Sequence, residues 1–444
     1  MGGRHGKGES GVDRNGQNES GKEKNRKMKC AKTQNAAFLA VLAVFAASSS
    51  VRYFSFEMSM HNTTPFALSY KYGFISRGLM GTLWAFFDGL TSKNLMNYRS
   101  LYTFSLWSTV LYLALLFVLF AVCLKRCREK DEHNMRYLIC FLGVFAFQMF
   151  WSDELFGRLD VYLMILTTLG MILLVEEKWE WLVIPFSIIC VMIHQGFVFV
   201  SANLMLVPLF YKILTCRGKK RKKYIVIFAL TFLSISVLFL YFELFSHVNG
   251  PEIFDEVVAS AKALSEDGKG YATSLLNHEI LGKDVFEEEW EYHVFNYKEF
   301  PTALLLFSTY IVIGLSFFKK LIGKGKKTAG GDNALSGQKD AARRFAYLVL
   351  FVGVATVLPE MILKVDYGRY MFRIFYYYIS MVMMFMAMGD TVVADQVEET
   401  KEDVKGKVPV PMVVLLYPMF LTPFYDVIIS GAVHKLSVWF FGGA

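Results

Sequence analysis

The chain is short of charge and short of cysteine, and each shortage excludes a class of protein. Only 19% of its 444 residues are Asp, Glu, Lys or Arg, against roughly 25% in an ordinary soluble domain. Those charges cluster between long apolar runs instead of covering a surface. The six cysteines, Cys30, Cys123, Cys127, Cys140, Cys190 and Cys216, fall in apolar runs or at basic ends. No Cys-x-x-Cys pair occurs, which argues against a disulfide scaffold and a zinc site. Also missing are the phosphate-cradling Gly-x-x-x-x-Gly-Lys, the His-Glu-x-x-His of zinc peptidases and the Gly-x-Ser-x-Gly of hydrolases. Length alone allows two or three soluble domains, but no internal repeat and no soluble domain is legible.

What is abundant is apolar surface: 54% hydrophobic residues, 16% aromatic, with 41 Phe and 21 Met. Several runs reach the roughly 18–20 residues that a bilayer demands of a helix. Leu101–Leu124 is the cleanest. The others are Ala36–Val51, Tyr137–Trp151, Val161–Val175, Tyr224–Phe245, Thr302–Phe318, Phe345–Leu363, Met371–Met388 and Val408–Ile429. Leu182–Leu214 is too long for one span and reads as two, turning near His194-Gln195-Gly196. The expected fold is all-α, a polytopic transmembrane helical bundle of about 10–11 spans.

Residues 1–35, rich in Gly, Lys, Arg, Asn and Glu, bury too little to offset chain entropy and read as a disordered basic tail. A signal peptide ending at Ala46-Ala47-Ser48 is the rival reading. The long basic region and the many later spans favour a retained first helix. Basic loops stay on the cytoplasmic side. With the tail, Lys125–Arg136, Glu176–Glu180, Arg217–Lys223, Lys319–Arg344 and 389–407 inside, about 32 of the 47 Lys and Arg residues are cytoplasmic and about 14 outside. The C-terminus then lies outside.

Phe74–Leu90 is apolar but carries Arg77, Gly78, Gly81 and Asp88. A full span here would turn every later basic loop outward, so it reads as a re-entrant or interfacial helix on the outer face. The outer segment His247–Glu299 holds about a dozen acids against four lysines and reads as a small helical cap. The cytoplasmic loop 319–344 contains a flexible linker, Lys324–Lys339.

Ionisable residues at membrane depth face a cavity or a partner, and here they gather on one face. Glu57 and His61 follow the first helix, and Arg77 lies in the re-entrant segment. Asp153, Glu154, Arg158 and Asp160 sit in one turn, His194 and Gln195 in another, and Asp366, Arg369 and Arg373 at a third boundary. The turn Trp151–Asp160 mixes carboxylates with a guanidinium, a set able to hold a metal, a phosphate or an acceptor hydroxyl. The structural alternative is an ion-pair network anchoring a helix end. Glu57, against an apolar wall, has the chemistry of a general base. Around Arg77 the glycines permit close backbone approach while the guanidinium offers a fork for phosphate oxygens; the alternative is an arginine snorkelling to headgroups. Asp366 and Arg369 pair across one turn if helical. His194 also suits a satisfied helix end, and Tyr376-Tyr377-Tyr378 reads as interhelical packing. The net charge of +8 serves topology and anionic headgroups and does not indicate nucleic acid.

This layout resembles the glycosyltransferase-C superfamily and the related bacterial polysaccharide polymerases, polytopic enzymes that use polyprenyl-linked sugar donors on the outer face. Glu57 with Phe74–Leu90 matches their first outer loop, Asp153 and Glu154 a second acidic turn, and His247–Glu299 a later large loop. Arg77-Gly78-Leu79-x-Gly81 and Asp366-x-x-Arg369 are similar to segments of membrane proteins of this type. The resemblance implies Glu57, Asp153 or Glu154 as the catalytic base on a saccharide acceptor. It implies Arg77, Arg158 and Arg369 on the donor phosphate, and Asp160, His194 and Asp366 in support. Its partners are membrane lipid, a polyprenyl-phosphate-linked sugar and the acceptor. A divalent cation is compatible with such a site but not required, and no residue set is assigned to a metal. Many members carry two adjacent acids in the first outer loop, and this chain has only Glu57, which shifts weight to Asp153 and Glu154. The rival class is a transporter or flippase for a lipid-linked saccharide or anionic solute, which would place its groups nearer the midplane and in two related halves. A third is a membrane anchor or sensor.

Overall fold

The computed structural model describes residues 33–44, 46, 57–91, 94–148, 156–246, 250–268, 270–281, 301, 304, 307–327, 334–359 and 367–407. The chain divides into two units, residues 1–48 and 49–444. In the first, helix α1 (Thr33–Val44) falls at the start of the expected first span. Apart from Ala46, the rest of that span, and the whole of Val408–Ile429, lie outside the described residues.

Every regular element among the described residues of the second unit is helical. Three helices are long and apolar enough to cross a membrane: α3 (Tyr98–Arg126), α8 (Gly218–Phe245) and the Tyr370–Ala387 part of α13 (Tyr367–Ala387). They fit a membrane protein. So does the surface of α8, where Val226, Phe232, Leu233 and Phe245 are each more than half exposed, a contiguous apolar face that water penalises and hydrocarbon does not. Shorter helices fill out the bundle: α2 (Gly78–Thr91), α4 (Glu132–Gln148), α5 (Asp160–Glu176), α6 (Val183–Ile193), α7 (Asn203–Thr215), α9 (Pro251–Ala263), α10 (Thr273–Leu281), α11 (Ser308–Lys327), α12 (Ala334–Val352) and α14 (Thr391–Lys407).

Local chemistry explains several boundaries. The Asn97 side chain caps α3 by accepting from the Ser100 N–H at 3.0 Å, satisfying one of the orphan donors of the first turn. Lys125 and Arg126 close its last turn, where cations complement the helix dipole. Helix α5 ends at Glu177, a left-handed non-glycine residue with φ 56°, a conformation that costs about 1–2 kcal/mol. The Lys212 and Lys220 ammonium groups each bond its carboxylate at 3.0 Å and hold it there.

Helices α3, α5 and α13 run in one direction. At their starts Tyr98 bonds the Met58 backbone, and Asp160 pairs with Arg373. At the far ends Arg126 of α3 donates to the Glu176 carbonyl of α5 at 2.9 Å. Helix α8 runs the other way, with α6 and α7 laid along it as an antiparallel pair. Glu180, before α6, and Lys212, near the end of α7, both bond Tyr224. Between them Gln195 reaches Glu243 at 3.2 Å, and the rings of Phe199 and Phe239 meet. The split of the long apolar run at His194-Gln195-Gly196 is therefore a real turn, and His194 makes it: its Nδ1 accepts from the Gly196 N–H at 2.8 Å.

One end of the bundle thus collects Lys125–Arg136, Glu176–Glu180, Arg217–Lys223 and α14, and is called here the basic end. It contains a buried knot. Asp390 accepts from Tyr211 of α7 and Tyr347 of α12, each at 2.8 Å, and from the backbone N–H groups of Val392 and Val393. The segment read from sequence as the flexible linker Lys324–Lys339 is different: α11 continues to Lys327 and α12 begins at Ala334. Lys320 and Lys324 pair with Glu399 and Asp403 of α14, so the positive end of α11 rests on an acidic helix instead of solvent.

The opposite end carries the cap. Helices α9 and α10 pack over residues 57–75, burying Val257, Ala261, Leu264, Leu276 and Ile280. Lys71 pairs with Glu256, and the Ala272 N–H donates to Thr64 Oγ1 at 2.9 Å. Beneath them Phe66, 1% exposed, meets the rings of Trp84, Phe104 and Tyr162 at centroid distances of 6.1–6.4 Å. That one side chain joins α2, α3 and α5, and its burial is worth about 2–3 kcal/mol.

Helix α2 covers most of the apolar segment Phe74–Leu90. Its 14 residues span roughly 21 Å, short of a 30 Å hydrocarbon core. It buries Gly78, Met80, Gly81 and Trp84 and exposes Phe86, Phe87 and Leu90.

Candidate functional site

The site begins at Glu57. The backbone of Met58 donates to Tyr98 Oη at 2.9 Å, which ties this residue to the first turn of α3. The Met58 side chain lies on Gly157, at φ 82°, where a Cβ would collide with it. Asn62 Nδ2 donates to the Phe156 carbonyl at 2.7 Å, and Tyr102 of α3 packs its ring on Phe156. These contacts bring the Glu57 loop against the turn that contains Arg158, so two candidates far apart in sequence flank touching residues, Met58 and Gly157.

A second carboxylate joins them. Partial desolvation, the charge of Glu57 and a shared hydrogen bond with it raise Glu266 above the ordinary glutamate value. A like-charged neighbour favours the protonated form, so Glu266 retains its proton to higher pH than an isolated glutamate. Both carboxyls are exposed. The hydroxyl of Tyr98 lies within the electrostatic reach of both. The second acid of the site therefore comes from the cap and not from the first loop.

Asp160 opens α5 and forms an ion pair with Arg373 of α13, with side chains 17% and 8% exposed. At this depth the pair neutralises two charges that would each be costly alone. Arg369 lies one helical turn before Arg373 on α13, so their backbone positions share a face.

Arg77 stands immediately before α2 with φ 60°, a conformation unusual for a side chain of its size. Its Nε lies 3.6 Å from Glu279 Oε1 of the cap, with side chains 14% and 3% exposed. Behind it Gly81 does what its position in the motif implies. A Cβ there would collide with the Leu68 carbonyl oxygen, so only glycine lets α2 lie this close to the preceding backbone. Thr82 fastens the same contact by accepting from the Tyr70 N–H at 2.7 Å.

The structure thus brings Met58 and Gly157, the neighbours of Glu57 and Arg158, into contact, places Asp160 at a helix start against Arg373, and engages Arg77 with the cap. His194 lies in the α6–α7 turn, where its ring bonds the backbone. Asp153, Glu154 and Asp366 lie outside the described residues, as does the side chain of Arg369. Among the described residues no three His, Cys, Asp or Glu side chains group as a metal site requires.

Glu266 and Glu279 are the site residues that sequence reading missed. For Glu279 a signal existed. It falls between Leu276 and Ile280 on the buried side of α10, and an acid at an apolar helical position announces a partner. For Glu266, in a turn of acids, no local signal distinguishes it. No family model, curated protein or solved structure matches this chain.

Proposed function

We propose that this chain is a multi-pass membrane glycosyltransferase or repeat-unit polymerase that draws on a polyprenyl-linked sugar donor at the cap end. In this reading the basic end is cytoplasmic, as its lysines and arginines favour, the cap faces outward, and the bundle crosses the membrane about ten or eleven times. The observation that supports it most is the pairing of Glu57 with Glu266 beside Tyr98, on a loop that touches the Arg158 turn.

Of two neighbouring carboxyls, an ionised one is able to accept the acceptor hydroxyl's proton. Asp153 and Glu154, three to five residues before Arg158, are the alternative base. As the glycosyl bond to the donor breaks, charge grows on the departing phosphate. In this reading Arg77, Arg158 and Arg369 are the guanidinium groups that stabilise it, the type of term that often dominates catalysis. A divalent cation is compatible with this chemistry but not required; it would supply positive charge opposite the departing phosphate. The partners are membrane lipid, the lipid-linked sugar and a saccharide acceptor.

Transport of a lipid-linked saccharide or anionic solute is the rival. The gathering of carboxylates and guanidinium groups at one end of the bundle, instead of at mid-depth, favours the enzyme. The test is mass analysis of lipid-linked saccharides in cells lacking the protein, complemented with Glu57→Gln, Asp153→Asn or Glu154→Gln at normal membrane levels. The enzyme reading expects donor accumulation without the protein, and accumulation again in at least one of the three variants. Normal turnover in all three sinks it.

A further inference from the structure

The head of α2 has the parts of an anion site, and one of the cap's own acids lies in it. Three observations converge there. Ser76 is 1% exposed, and its hydroxyl has no hydrogen-bond partner among the described residues. The adjacent Arg77 is held at φ 60° with a buried Nε that makes no hydrogen bond among the described residues. Its nearest counter-charge, the Glu279 carboxylate, stands at 3.6 Å, longer than the roughly 2.7–2.9 Å of a well-made charged hydrogen bond. Both residues immediately precede the first turn of a 14-residue helix, whose positive end also favours an anion.

A buried hydroxyl and a guanidinium nitrogen left short of partners are costly, and the left-handed backbone at Arg77 adds strain. Such a cost persists where it serves a ligand. The ligand class follows from the donors: a fork of guanidinium N–H groups, one hydroxyl and a helix N-terminus match a phosphate with several acceptor oxygens better than one carboxylate does. Glu279 reaches this place from α10, so its engagement also holds the cap down.

We propose that Ser76 and Arg77 form a phosphate site, that the Glu279 carboxylate occupies it as a placeholder, and that an arriving phosphate displaces Glu279 and frees α10 from the head of α2. The anion site stands on its own geometry. Its identification with the phosphate of a lipid-linked sugar rests on the function proposed above.

The test uses the purified full-length protein in detergent, with inorganic pyrophosphate and a short-chain prenyl phosphate as separate probes. Equilibrium binding is measured for the natural sequence, Glu279→Gln, Arg77→Gln and Arg77→Lys. Removing the competing charge in Glu279→Gln is expected to tighten binding about tenfold, within the usual range of coupling between two ligands of one site. Arg77→Gln is expected to weaken it by at least about tenfold, with Arg77→Lys between the two. Spin labels at Leu83→Cys on α2 and Thr273→Cys on α10, with the natural cysteines replaced, should move apart on saturation. Unchanged affinity in Glu279→Gln, or an unchanged label distance in the saturated protein, overturns the proposal. Equal binding of the two probes, with Glu279→Gln tightening both, upholds the anion site while removing the lipid-linked donor from it. Should Glu279→Gln not fold, Glu279→Asp, which withdraws the carboxylate by one methylene, is expected to tighten binding by a smaller factor, and no tightening there counts against the placeholder.

Discussion

Arg373, three residues before Tyr376 on α13, closes an ion pair onto Asp160, the residue that opens α5. Each is the other's counter-charge at a depth where neither is well solvated. Removing one member of such a buried pair takes away the other's compensating charge, which generally costs about 3–5 kcal/mol. Arg373→Gln and Asp160→Asn are each expected to lower stability by about 3 kcal/mol, read as the thermal midpoint in detergent. The double variant should lose clearly less than the sum. Strict additivity would mean that the two charges are satisfied by other groups.

Gly81→Ala tests how α2 is seated. The added methyl meets the Leu68 carbonyl, so the helix must shift, at about 2 kcal/mol or more. Gly89, on the same helix, has nothing within 4 Å of such a methyl. Gly89→Ala should instead be neutral or stabilising by up to about 1 kcal/mol, through helix propensity alone. Equal effects at the two positions would show that α2 is not packed against residues 66–68.

The pairing of Glu57 with Glu266 predicts a titration. Glu57 raises Glu266 by its charge and by their hydrogen bond, so Glu57→Gln should move Glu266 down toward the ordinary glutamate value. Isotope-edited infrared spectra of the carboxyl band across a pH series would read this directly. A Glu266 band that titrates at the same pH in both proteins removes the pair from the site.

At the basic end the sign of the pH effect is opposite. Burial acts to raise Glu177, but its bonds to Lys212 and Lys220 prevail and bring it down from 4.5 to about 2. A depressed carboxylate contributes stability that is fully present above its unfolded value and is lost as pH falls through its folded value. The thermal midpoint of the natural protein should therefore fall between pH 4.5 and about 2 by more than that of Glu177→Gln. Glu177 is partly exposed, so screening keeps the difference small. Parallel curves for the two proteins would refute the assignment.

How much of this was legible in the sequence depended on how local each feature is. The extents of α3, α5 and α8 follow from unbroken apolar runs, and the α6–α7 turn from three polar residues in a stretch too long for one helix. The shortness of α2 is foreshadowed by Arg77 and the two glycines, which interrupt its apolar run. Pairings between distant elements were not legible. Glu266 reaches Glu57, and Glu279 reaches Arg77, only because the cap folds back over the first loop, and periodicity carries no information about which acid faces which loop. The helical continuation of α11 and α12 was hidden for a related reason. Their Lys-rich segments read as solvated linker until the acids of α14, Glu399 and Asp403, are seen to neutralise part of them.

The knot at Asp390 gives the bundle a mechanical asymmetry. Two tyrosine hydroxyls and two backbone amides fasten α7, α12 and the start of α14 to one buried carboxylate. The cap end is held instead by apolar burial, a backbone hydrogen bond to Thr64 and separate ion pairs, of which Lys71 with Glu256 is exposed. Under the displacement proposed for Glu279, a change of partner at Arg77 would loosen the cap without breaking any contact around Asp390.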